Sequence, residues 1–135
     1  ITELNTEKNL GLTILPAKDH AEAFLMVETG RAAAFVMDDI ILYSLVATSK
    51  EPKGYAISAD ALSVEPYGIM LRKDDAEFKK VIDLAMSRTI LDGEAEKLYK
   101  KWFLSPIPPK GLNLNYPMTT GMKELYAHPN DKAIQ

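Results

Sequence analysis

Cysteine is absent from this sequence, which excludes disulfides and thiolate metal sites and leaves the redox compartment open. Histidine is scarce: His20 and His128 stand too far apart to read as a metal pair. No apolar run approaches the roughly 20 residues that cross a bilayer. Basic residues are outnumbered, 16 Lys and Arg against 19 Asp and Glu for a net charge of −3, so the chain has no basic footprint for nucleic acid. There is no low-complexity tract, no internal repeat, no Ser/His/Asp grouping and no zinc motif. What remains is 135 residues, 47% hydrophobic and 26% charged, the length and make-up of one ordinary globular domain. The opening Ile1-Thr2-Glu3-Leu4-Asn5 holds no initiator Met, basic region or signal segment, and reads as the interior of a processed or truncated chain.

The stretch that organises the rest runs from Gly30-Arg31-Ala32-Ala33-Ala34 through Phe35-Val36-Met37 to Asp38-Asp39. A short apolar run bounded by turn signals has the pattern of a strand buried on both faces. The residues after it, Ile40 to Ala47, continue as an apolar helix. The two carboxylates therefore sit where a strand ends and a helix begins, the place where open α/β sheets bind ligands. Asp39 is positioned to cap the helix by accepting a backbone N–H. Asp38 is then spare, and a spare carboxylate at a cleft mouth suits an ammonium group. The competing reading is that both acids only cap and solvate the turn.

Taken in order, residues 1–10 have the pattern of a polar helix end with Gly11 as its stop. Leu12-Thr13-Ile14-Leu15 reads as a short strand closed by Pro16. A helix then opens with Asp19 and Glu22 spaced as a capping box, carries Ala23, Phe24 and Val27 at the helical period, and ends at Gly30. After the central strand and helix, Glu51-Pro52-Lys53-Gly54 is a turn and Tyr55–Ser58 a brief strand. Val64–Arg72 is a longer extended stretch whose proline suits a connector or an edge. Asp74-Asp75-Ala76-Glu77 caps an amphipathic helix with the stripe Phe78, Val81, Ile82, Ala85, Met86 and Ile90. A second helix, about Gly93 to Phe103, aligns Leu91, Ala95, Leu98 and Trp102. Ser105-Pro106-Ile107-Pro108-Pro109 forbids continuation, and a polar, extended tail follows with one short helix near Thr120–Ala127. Alternating strands and helices indicate an α/β fold with a largely parallel sheet. The strand count does not close a core.

Several motifs in fixed order carry a resemblance: Gly30-Arg31-Ala32 through Asp38-Asp39, Tyr67-Gly68-Ile69-Met70-Leu71-Arg72-Lys73-Asp74-Asp75, Gly93-Glu94-Ala95-Glu96-Lys97, and Lys101-Trp102-Phe103. Together they resemble the solute-binding proteins of bacterial polar amino-acid ABC importers. Ala17-Lys18-Asp19-His20, the Pro106–Asn113 stretch and Pro129-Asn130-Asp131-Lys132-Ala133 resemble the glutamate/aspartate branch. Many relatives carry an acid where this chain has Ala33; that branch is apolar there.

The resemblance implies a type II periplasmic-binding-protein fold, two α/β lobes joined by crossing strands and closing on a ligand by hinge motion. Residues 1–64 would then be a partial ligand-binding lobe 2, 65–73 the crossing strand, 74–104 helices of lobe 1, and 105–135 a C-terminal extension. The lobe 1 sheet is missing, as is the opening strand of lobe 2, which belongs between the strands at 12–15 and 33–37. Unpaired strands of that kind invite self-association. By the same resemblance Asp38 accepts the α-ammonium of L-glutamate or L-aspartate. His20, at a helix start where N–H groups favour anions, donates to the side-chain carboxylate; without the family match it is equally a solvated histidine. The arginine for the α-carboxylate would come from the missing lobe. Implied too are ABC transporter membrane subunits as partners, a periplasmic location, no cofactor and no catalysis. The alternatives are a fold-related sensor domain or a dehydratase-type enzyme. Asp38 and Asp39 are a poor acid/base pair, being neighbours of which one caps.

Overall fold

The computed structural model describes residues 1–132. Ala133, the last residue of the Pro129–Ala133 motif, lies outside the described residues, as do 134 and 135. Among the described residues six α-helices are formed: α1 (Thr2–Glu7), α2 (His20–Glu28), α3 (Asp39–Thr48), α4 (Ala76–Leu91), α5 (Glu94–Phe103) and α6 (Thr120–Ala127), with a 3-10 turn at Pro52–Gly54. Each expected helix is present, though α1 stops at Glu7, short of the expected stop at Gly11. The chain divides into two compact units, Ile1–Tyr55 and Ala56 onward.

The expected parallel sheet does not form among the described residues. Among the described residues there is no strand, and the segments at 12–15, 33–37 and 55–58 are irregular. Their composition suits strands, but a strand exists only where a neighbour takes its N–H and C=O groups. No such neighbour is present among the described residues. Local hydrogen bonds hold these segments instead. The Asn5 side chain grips the backbone of Leu12 from both sides, Nδ2 donating to its carbonyl at 3.0 Å and Oδ1 accepting from its N–H at 2.9 Å. The Ala32 N–H turns back to the Met26 carbonyl at 3.0 Å.

In the first unit α2 begins at Asp19, whose carboxylate accepts from the Glu22 N–H at 2.8 Å. Glu22 reaches back one residue beyond the usual capping box, accepting from the Lys18 N–H at 2.8 Å. Gly30 ends the helix with φ +71, a left-handed conformation that costs glycine little. Met26 is buried, and the Phe24 ring meets Tyr55 at 5.1 Å between centroids. The α3 helix packs on the 3-10 turn.

In the second unit Asp75 caps α4 through the Phe78 N–H at 3.1 Å, and Gly93, with φ +82, turns the chain into α5. Both α5 and α6 pack on α4. The helical stripes are present, but their burial departs from expectation. Phe78, Val81, Met86 and Leu91 of α4 and Leu98 and Trp102 of α5 remain exposed. The best-buried part of α5 is Tyr99, which with Phe103 and Tyr116 forms an aromatic cluster. The Tyr99 hydroxyl donates to the Tyr116 carbonyl at 3.0 Å, and the Tyr116 N–H donates to Phe103 at 3.0 Å. Residues 105–116 therefore fold back along α5 and do not trail as an extended tail. A bridge between Ile107 and Leu112 and the Asn113 side chain on the Leu104 carbonyl secure the turn.

The end of the described chain is tied to α4 by Lys79, whose ammonium lies 2.6 Å from Asp131 and 2.5 Å from Asp83. The hydrogen bond from Lys79 holds the Asp131 carboxyl below its ordinary range, and the lysine charge adds to it. Lys79 is raised in turn, by its hydrogen bonds to Asp131 and then Asp83. A depressed carboxyl contributes stability above its unfolded pKa and loses it as pH falls through the folded value; a raised lysine loses its contribution as pH rises through its folded value. The tie thus spans roughly pH 4 to 10, and its exposure keeps it weak. We expect backbone resonances of residues 129–132 to stay constant across neutral pH and to shift together when pH drops below the usual carboxylate range. Resonances that follow an unperturbed carboxyl would count against the contact. Tyr99→Phe, which strips the hydroxyl from a buried carbonyl, should lower stability by about 1–3 kcal/mol in urea unfolding followed by circular dichroism. An unmoved midpoint would mean that the cluster holds by ring packing alone.

Candidate ligand-binding residues

His20 and Asp38 both belong to the first unit, and both stand where an irregular segment turns into a helix. His20 is the first residue of α2 and is exposed. Its neighbour Asp19 occupies one helix-end donor, the Glu22 N–H. An anion arriving at this end would meet the ring of His20, the positive end of α2 and the negative Asp19 together.

Asp38 holds the cap position of α3, with its carbonyl accepting from the Ile41 and Leu42 N–H groups at 3.1 Å each. Its carboxylate makes no capping hydrogen bond. The Asp39 carboxylate accepts from the Ile40 N–H at 2.8 Å. The two acids divide their work accordingly: Asp39 serves the helix end with its side chain and is exposed, whereas Asp38 serves it with its backbone and is half-buried. A half-buried carboxylate is a better partner for a cation than a fully solvated one, because less water screens it.

The remaining electrostatics of this unit lie along α2. The Tyr55 hydroxyl donates to Glu28 at 3.4 Å. Its pKa is raised, chiefly by burial and then by the negative charge of Glu28. Arg31 is exposed. In the second unit Arg72 and Lys73 are exposed and Arg72 pairs with Asp75 at 3.5 Å, while His128 ends α6 at the surface. A groove of about 380 Å³ there is lined by Ile90, Glu96, Met118, Lys123, Tyr126 and Ala127; it contains neither His20 nor Asp38. No group of His, Asp and Glu among the described residues could hold a metal ion, and no helix is long and apolar enough to cross a membrane.

No family model matches the chain. Curated relatives do. The L-glutamate/L-aspartate-binding protein of Pseudomonas aeruginosa is 51% identical over 98% of this chain and 44% of its own length. The glutamate/aspartate import solute-binding protein of Escherichia coli is 46% identical over 99% of this chain and 44% of its own length. The chain belongs to the bacterial amino-acid solute-binding protein family. Kinship falls off outside the glutamate/aspartate branch: the ABC transporter glutamine-binding protein of Bacillus subtilis is 31% identical over 71% of this chain. The chain spans less than half the length of the curated relatives it matches and corresponds to their C-terminal part. Solute-binding proteins of this family have the type II fold.

Contacts that the sequence pattern did not foresee are those of Asn5 with Leu12, Lys79 with Asp131 and Tyr99 with Tyr116. All of them organise backbone. Asn5 stands seven residues from Leu12 with no motif around it, and Lys79 finds Asp131 across 52 residues, a separation at which no periodic pattern operates. Asp19→Ala should unwind the start of α2 by removing its cap, at a cost of about 1 kcal/mol, visible as faster amide exchange at Glu22 and Ala23. Unchanged exchange would mean that packing of Met26 alone sets the helix start.

Proposed function

We propose that this chain is the C-terminal portion of an extracytoplasmic solute-binding protein that delivers glutamate or aspartate to an ABC importer. The observation that carries this reading is identity of 46–51% to two glutamate/aspartate-binding proteins across 98–99% of the chain. In this reading residues 1–64 supply most of lobe 2, 65–73 cross between lobes, 74–104 pack on lobe 1, and 105–135 form the extension. The exposed stripes on α4 and α5 are then the faces that a first lobe would cover. The protein is a periplasmic receptor and not a catalyst.

The chemistry follows from the ligand. An acidic amino acid carries one positive and two negative groups, and each needs a partner when water is removed. Asp38 takes the α-ammonium. His20, with the N-terminal end of α2 behind it, takes the side-chain carboxylate. An arginine of the other lobe, as the resemblance implies, takes the α-carboxylate. Because the charges are split between lobes, only the closed form satisfies all of them, so ligand and closure stabilise each other.

Calorimetry on the protein carrying both lobes tests the assignments. Asp38→Ala leaves a buried ammonium unmatched, at around 3–5 kcal/mol, and should weaken glutamate binding by roughly two to three decades. His20→Ala removes one charged hydrogen bond and should cost roughly one to two decades. Affinity for glutamate that survives Asp38→Ala would refute the site. For the 135-residue chain alone, thermal shift against L-glutamate, L-aspartate, L-glutamine and L-arginine tells whether this portion retains a working half-site, since ligand at about 100 times its Kd adds around 2.7 kcal/mol.

A further inference from the structure

At the start of α2, Glu22 is held from both ends. Its N–H donates to the Asp19 carboxylate at 2.8 Å, and its own Oε2 accepts from the Lys18 N–H at 2.8 Å. These bonds close a ring over residues 18–22, and His20 stands inside it. Every residue from 6 to 21 is exposed, and Glu22 is the first half-buried one after them. The first buried side chain is Met26, more than a turn beyond His20. Packing therefore does little to fix how the chain enters α2, and hydrogen bonds must do it. As the first helical residue, His20 has no carbonyl within the helix to take its N–H, so its backbone is set by what precedes it. What precedes it is tied at Lys18 by Glu22.

The charge of Glu22 argues against direct contact with an acidic ligand. A carboxylate beside an anion-binding helix end repels the anion, so its use there lies in accepting a hydrogen bond. We propose that Glu22 is a positioning residue: by holding the Lys18 N–H it fixes the entry into α2, and with it the place from which His20 meets the side-chain carboxylate of the bound amino acid. This rests on the ligand reading of His20. A group in a site must be held to within about 0.5 Å of its working geometry by neighbours that are themselves fixed. Glu22 is the neighbour that does this for His20.

Calorimetry with L-glutamate on the protein carrying both lobes tests the assignment through a double-mutant cycle with His20. Glu22→Ala removes the acceptor and should weaken glutamate binding roughly tenfold. Glu22→Gln keeps an acceptor oxygen and sheds the repelling charge, so it should bind glutamate at least as tightly as the parent. In a His20→Ala background, adding Glu22→Ala should change the affinity by less than about twofold. Amide exchange at Lys18 reports the tether itself, and should be faster in Glu22→Ala and unchanged in Glu22→Gln. Asp19 still caps α2 in both variants, so the helical circular dichroism should match the parent's. Tighter binding in both Glu22 variants would mean that the residue acts by charge alone, and overturns the proposal. Equal losses from Glu22→Ala with and without His20 overturn it as well, as does unaltered exchange at Lys18. Unaltered glutamate affinity in Glu22→Ala, where His20→Ala weakens binding, overturns it and leaves the ligand reading standing. Unaltered affinity in His20→Ala refutes both.

Discussion

Every N–H and C=O of an extended segment must find a partner outside that segment, whereas a helix satisfies its own. This asymmetry governs what the chain can build. Leu12–Leu15, Ala33–Met37 and Val64–Arg72 have the composition of strands, yet none of them is one among the described residues. The helices form in full. They need only their caps: Asp19 on Glu22, Asp75 on Phe78 and Thr119 on Met122.

Where a sheet would supply long-range order, shorter devices stand in. Asn5 gives Leu12 the donor and acceptor that a neighbouring strand would offer. Tyr99 and Tyr116 close one end of the second unit by joining ring packing to a buried hydrogen bond. These contacts hold local pieces, and they cannot cover the stripes on α4 and α5. Those stripes keep the periodicity of core-facing helices, yet Phe78, Val81, Met86, Leu98 and Trp102 within them stay exposed. The chain spans less than half of its relatives' length.

The same constraint bears on the candidate site. His20 and Asp38 both lie at helix starts, where backbone donors converge and where the preceding segment would be a strand end in a complete sheet. Their placement by helix caps survives without the sheet, because caps are local. The division of labour between Asp38 and Asp39 shows this: one carboxylate bonds the first turn and the neighbouring one does not cap. How the two candidate residues would converge on one ligand depends on strands that set the spacing between α2 and α3.

The sequence by itself determined the helices, their caps and stops, and the kinship, because each is written in residues a few positions apart or in motifs of fixed order. Capping needs Asp19 and Glu22 three apart; the stop after α2 needs only Gly30. It also determined which segments prefer extended backbone. Whether those segments pair was decided by tertiary structure alone, since pairing depends on a neighbour that no local pattern encodes. Likewise Phe78 and Trp102 were legible as members of apolar stripes, but their exposure was not. A stripe records which face should be buried, and only the packed chain decides whether anything is there to bury it.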